Sequence, residues 1–376
     1  MSDPRELSRV EAAHRAAQAR LGLAGAYLVL RDWGAGAPST QVSTGWISPA
    51  LRVINALRKV SVKLARRYYR LARAIETGTT LGHPDTPVDG STVAMEVLRT
   101  EFLEVLQEIA EMGNSAPPTG RDPDVDFLFK ELVKEDPRAS ENGRLELMES
   151  VDLPSYIEDW EAEHDRDAGE FIEIDDFDWD DDPEDEAEVL SLLDKALEND
   201  VVKAANDRIR ALRDSETAPG AAMDQLVEQQ QNAGSIAAGR VDRFGIAAGR
   251  SEIDRVIPLD RRVKKVARGL GPNPCNFCAM LASRGFVYKD KRTANLAGGA
   301  DSIRRYHDNC HCYPIVRWVD ASEVPPANLW LQGKWYEVTR GTHGHDMRLA
   351  WRRWYDTEGR QELRKYLDGL EDTQAA

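Results

Sequence analysis

All four cysteines of the chain fall within 38 residues, in two close pairs. The first is Cys275-Asn276-Phe277-Cys278, and the second closes the run Tyr306-His307-Asp308-Asn309-Cys310-His311-Cys312. The pattern is C-x2-C, then H-x2-C-x-C. A C-x2-C turn sets two thiolates on one side, and the second cluster supplies further donors, so the turns can close on one ion. Zinc takes four N or S ligands in a tetrahedron. One ligand set is Cys275, Cys278, Cys310 and Cys312; another substitutes His307 for a cysteine, and His311 is a weaker candidate. A structural zinc is the leading reading. Disulfides and buried, unligated thiols are the two others. A disulfide-stapled secreted chain would spread its cysteines and carry a signal peptide. The N-terminus reads as having no such signal, and no apolar run reaches the ~18–20 residues of a membrane span. A soluble, cytoplasmically made protein without a membrane partner is expected.

The net charge of −16 is not spread evenly. Residues 158–188 carry eighteen acidic residues against one basic residue, Arg166, so the rest of the chain is nearly neutral. Net charge therefore does not exclude a nucleic-acid partner. The run 172–188 (IEIDDFDWDDDPEDEAE) reads as a solvated, flexible acidic segment with a few aromatic anchors. It lacks the ligand spacing of an EF-hand.

Elsewhere helical periodicity dominates. Residues 5–30 are rich in Ala, Leu, Glu and Arg, all strong helix formers. Ser48-Pro49 reads as N-cap and first helical residue of a second helix. Its apolar stripe is Val53, Leu57, Val60, Leu64, Tyr68, Leu71 and Ile75. Beside the stripe stand Arg52, Lys59, Lys63, Arg66, Arg70 and Arg73. This basic face reads either as solvated or as a contact for DNA phosphate or an acidic partner. Residues 91–112 and 187–216 are helical in pattern, and 220–249 continues so with AAGR at 237–240 and again at 247–250. Glycines inside a helix point to close packing or a break. A second basic patch is Arg261, Arg262, Lys264 and Lys265, with Arg268 beyond it. After a short apolar strand at 315–319, Trp330, Trp335, Tyr336, Trp351, Trp354 and Tyr355 suit either a small core or a docking surface. His343, His345 and Asp346 read as a surface loop.

PNPCNFCAMLASRGFVYKD followed by YHDNCHCYPIVRW resembles the C-terminal signature of the Mu F-like minor head morphogenesis family of tailed bacteriophages. Cys275, Cys278, Gly285, Tyr288, His307, Cys310, Cys312 and Pro314 carry the likeness. The AAGR segment and SVKLARRYYRLAR are similar to the actinobacterial-phage branch. The likeness runs over 235–318, is weaker over 48–78, and is absent over 115–190. Family members often have Arg between the last two cysteines, where this chain has His311. The resemblance implies a virion component of few copies, inside the head and in the host cytoplasm before assembly. The portal or major capsid protein, and possibly packaged double-stranded DNA, would be its partners.

These readings together predict a mainly α protein. It would have an N-terminal helical domain (1–113), an acidic, partly disordered insert (114–188) and a helical bridge (189–270). A small α+β Cys/His-stabilised module with a Trp-rich region (271–376) would follow. The expected role is structural rather than catalytic. The rival readings are a capsid maturation protease or metal-dependent nuclease, and a genome-co-delivered effector or toxin. No G-x-S-x-G motif or Ser/His/Asp order supports a protease.

Overall fold

The computed structural model describes residues 4–33, 41–84, 92–112, 171–175, 186–214, 219–271, 274–286, 310–320 and 322–374, with the single positions 128, 153, 157, 177 and 179. It is mainly helical. In chain order the elements are α1 (Pro4–Trp33), α2 (Ile47–Thr77), β1 (Thr79–Leu81), β2 (Thr92–Ala94), α3 (Met95–Ala110), β3 (Phe171–Asp175) and α4 (Glu186–Leu197). A π-helical segment, Glu198–Lys203, leads into α5 (Ala204–Arg213) and then α6 (Pro219–Val256). The C-terminal part holds β4 (Lys265–Gly269), α7 (Asn276–Ala282), β5 (Tyr313–Arg317), α8 (Pro326–Val338) and α9 (His345–Trp354). A second π-helical segment, Tyr355–Gly359, joins α9 to α10 (Arg360–Gln374). Among the described residues, no helix is long and apolar enough to cross a membrane.

The stripe on α2 is buried as its spacing predicts: Val53, Leu57, Val60, Leu64, Tyr68, Leu71 and Ile75 all lie inside. The start of this helix differs from expectation. Trp46, not Ser48, is the N-cap residue, without a side-chain cap bond. The Ile47 N–H donates to Thr44 O (3.0 Å), which opens the helix earlier and leaves Pro49 in the first turn, where no N–H is needed. Trp46 packs edge-on against Trp33 at 5.2 Å, joining the end of α1 to the start of α2. Gly78 ends α2 in the left-handed region (φ 67°) and returns its N–H to Ala74 O at 2.8 Å.

The region expected to be a helical bridge contains the third helix of the same bundle. α6 has 38 residues, about 57 Å of helix, and packs against both α1 and α2. Both AAGR segments lie within it without a break. Gly249 makes the close approach to α2: a Cβ there would lie 2.4 Å from the Ser61 carbonyl oxygen. The Gly249 N–H instead donates to Ser61 Oγ at 3.1 Å. One continuous core runs through α1, α2, α3 and α6 and reaches Val266, Val316 and Trp318 of the C-terminal part. A second core surrounds the cysteines and includes Leu331, Trp351, Tyr355 and Leu363.

Within the insert expected to be partly disordered, residues 171–175 form a strand of the fold. β3 is the centre of a three-stranded sheet, parallel to β1 (Thr79↔Glu173) and antiparallel to β2 (Val93↔Ile172). Ile172 and Trp179 are buried, and Trp179 Nε1 donates to Gly82 O at 2.8 Å. Asp175 faces two cations, Arg73 and Arg262. Its charge is matched there, so this stretch of the acidic run is held by the sheet and by opposite charge.

Candidate metal centre

Two turns carry the cysteines, and each is framed by a different part of the chain. Cys275 caps α7: its Sγ accepts the Cys278 N–H at 3.3 Å. α9 and the π-helical segment after it hold this turn from outside. Trp351 Nε1 donates to Asn276 O (2.8 Å), the Tyr355 hydroxyl donates to Pro274 O (2.7 Å), and Asn276 Nδ2 donates to Asp356 Oδ1 (3.1 Å). Both aromatic rings are buried, so their polar ends are spent on the main chain beside the cysteines.

The second turn, Cys310 to Cys312, runs into β5, which pairs antiparallel with β4 from Lys265↔Arg317 to Gly269↔Tyr313. α6 and α1 frame it. Arg250 Nη2 donates to Cys310 O, and His311 Nε2 lies 3.0 Å from Asp242 Oδ1. Farther along, Arg317 pairs with Glu11 of α1, and the ring of His14 stands edge-on to Tyr313 at 5.4 Å.

The two turns meet. Cys278, Cys310 and Cys312 are buried, and their sulfurs all lie within 4.8 Å of one another. Cys278 Sγ and Cys310 Sγ are 3.6 Å apart. That is far beyond a disulfide bond of ~2.05 Å. It is close to the edge, about 3.8 Å, of a tetrahedron with Zn–S bonds of ~2.3 Å. Cys312 Sγ accepts the Gly271 N–H at 3.4 Å. The Cys278 thiol interacts with the sulfurs of Cys275, Cys310 and Cys312, which together with burial push its pKa far up. For Cys312, the Cys278 thiol pulls the pKa down, but the Cys310 thiol and burial outweigh it and the net shift is upward. A cluster of buried thiols at this spacing could hold a soft metal ion, with loss of the thiol protons on binding.

His311 is turned toward Asp242 and away from the sulfurs, and His307 lies outside the described residues. His343 and His345 are exposed. The sequence singled out the cysteines, and Trp351 and Tyr355 as candidates for a small core, but missed Asp242 and Arg250. The one available signal for these two was a charged residue recurring inside an Ala-rich helix.

The basic face of α2 is only partly the exposed surface its sequence suggests: Arg52 and Lys63 are exposed, whereas its C-terminal arginines are buried. Arg70 and Arg73 are each 1% exposed. Arg70 pairs with Glu101 and donates from Nε to Leu81 O at 3.1 Å. Arg73 pairs with Asp175 and with Asp260 (2.9 Å) and donates to Thr79 Oγ1 at 2.9 Å. Arg66 pairs with Glu252 (2.7 Å) and Lys63 with Glu108 (2.8 Å). Desolvated arginines need such partners, so α2 spends this charge inside the molecule. Arg52 is exposed and Lys59 half-buried. In the second patch, Arg261 and Lys264 are exposed. Arg262 pairs with Asp175 at 3.0 Å, and Lys265 donates to Asp320 O.

Residues 193–337 match the family described as VG15 protein, a viral gene-product family. The match covers well under half of the chain and includes α6 together with both cysteine turns. It points to a phage-related, virion-associated protein. No curated protein and no solved structure matches the chain.

Proposed function

We propose that this chain is a minor head protein of a tailed bacteriophage, of the Mu F-like kind. It acts structurally inside the capsid near the portal and the packaged DNA. The observation that carries this reading is the family match, which falls on the stretch that builds the cysteine centre and the long helix under it. The centre suits a structural role. Three of its sulfurs are buried, whereas a catalytic metal keeps an open position for water or substrate.

In this reading Cys275, Cys278, Cys310 and Cys312 hold one zinc ion, which ties the C-terminal helices to the bundle. Arg52, Arg261 and Lys264 are exposed and Lys59 is half-buried, which supports them as candidates for phosphate or partner contact, whereas Arg70 and Arg73 are buried. The test is peptide mass spectrometry of purified particles, before and after genome ejection, alongside particles from a deletion strain. The protein should copurify with filled heads at low copy, and its loss should reduce infectious heads. Its absence from filled heads would overturn the proposal.

A further inference from the structure

The residue between the last two cysteines has a task of its own. In an extended stretch, alternate side chains point to opposite sides. With Cys310 and Cys312 turned to the sulfur cluster, His311 is directed the other way, into the bundle. There it meets Asp242 of α6, which is 2% exposed. Two glycines make the room. A Cβ on Gly22 of α1 would sit 1.8 Å from Asp242 Oδ1 and 2.8 Å from His311 Nε2. A Cβ on Gly271 would sit 2.6 Å from the His311 carbonyl carbon. Two turns farther along α6, buried Arg250 donates to the carbonyl of Cys310. One helix thus grips two successive residues of the sulfur-bearing turn, through a carboxylate–imidazole pair and a guanidinium–carbonyl bond.

We infer that Asp242 is a positioning residue for the metal centre, acting through His311 to hold Cys310 and Cys312 in the geometry that retains the ion. This rests on the zinc reading above. The carboxylate accepts the His311 Nε2 hydrogen and fixes the imidazole, and the fixed imidazole sets the backbone between the two thiolates. The outer partners of metal sites commonly act in this manner, and their loss costs on the order of 10–100-fold in metal affinity. Here the imidazole is not a ligand. It links the occupied centre to the helix on which the bundle is built.

The experiment uses the full chain loaded with zinc and compares Asp242→Leu and His311→Leu with Asp242→Asn, whose side-chain oxygen still accepts from imidazole. Three quantities are read: zinc release into excess chelator, alkylation of Cys310 and Cys312 in zinc-free protein, and amide exchange in α2. The leucine variants should release zinc at least on the order of tenfold faster and expose both thiols sooner, with α2 still protected. Asp242→Asn should stay close to the parent. Release and alkylation at the parent rate in both leucine variants would overturn the inference while leaving the zinc reading intact. A parent that binds no zinc would refute that reading, and alkylation would then decide alone whether Asp242 and His311 position the thiols. If the leucine variants fail to fold, Asp242→Ala, which withdraws the acceptor without adding apolar volume, carries the same expectation.

Discussion

In the helical bundle, Arg70 and Arg73 are as buried as the leucines beside them, and each faces carboxylates brought from other elements. In the C-terminal core the largest buried side chains are Trp351 and Tyr355, and their polar ends meet main-chain carbonyls beside the cysteines. The bundle has long helices and enough apolar area to carry charge pairs inside it. The smaller core has short helices and relies on aromatic bulk and a cluster of sulfurs. Small units commonly need a metal or a covalent link to offset chain entropy. The contrast implies that metal should matter greatly to one core and little to the other.

The largest effect should separate them. Zinc removal, or Cys278→Ser, should raise amide exchange across 275–282 and 326–366 while α2 and the bundle part of α6 keep their protection. Structural zinc contributes apparent binding energies of about 10–16 kcal/mol in small domains. Loss of protection everywhere at once would show that the two cores are one cooperative unit.

The bundle should break at its buried charges. Asp260 accepts from Tyr69 Oη (3.0 Å), Arg73 Nε (2.9 Å) and Trp318 Nε1 (2.8 Å). Asp260→Ala removes one of the two carboxylates that face buried Arg73, and the acceptor of Tyr69 and Trp318, and should cost about 3–5 kcal/mol in denaturant unfolding. A loss below ~1 kcal/mol would mean that water reaches this site.

Acid should weaken the bundle next. His14 is fully buried and stacked on Tyr68 at 4.0 Å. Burial, then the charge of Arg250, lowers its pKa to about 3. The unfolded chain binds this proton near pH 6.5, so between there and about 3 it holds more protons than the native state. Stability should therefore be complete above 6.5 and fall as pH drops, by up to about 1.4 kcal/mol per pH unit from this group. In His14→Phe that part of the slope should vanish; an unchanged slope would place the effect on other groups.

The smallest effect should mark the surface. Arg52→Ala is expected to shift stability by no more than about 0.5 kcal/mol. If phosphate contact is real, it should still reduce the salt dependence of DNA binding by about one ion. Arg70→Ala should do the reverse, lowering stability with no separate effect on DNA affinity.

The stripe from Val53 to Ile75 was legible because it depends on neighbours three and four residues away. The cysteine pairs were legible because a C-x2-C turn is local chemistry. The burial of Arg70 and Arg73 was not legible for a matching reason. Arg73 looks solvent-bound until Asp260, 187 residues along the chain, is brought to it. Charge density likewise hid the strand at 171–175, since eighteen acids suggest solvation unless Arg73 and Arg262 are known to stand opposite. Helix starts fell between the two cases. Ser48-Pro49 is a fair local signal, but the Trp46–Trp33 contact accompanies a helix that begins at Ile47.

By itself, the sequence determined that this protein is mainly helical, where the helices before residue 250 run, and that its thiols stand in two close pairs. Only the tertiary structure decided that α6 is part of the bundle, that Arg70 and Arg73 face inward, and that His311 turns to Asp242 instead of the sulfurs. The physical reason is range. Periodicity and turn chemistry act over a few residues, whereas the partner of a buried charge is chosen by which helices pack together.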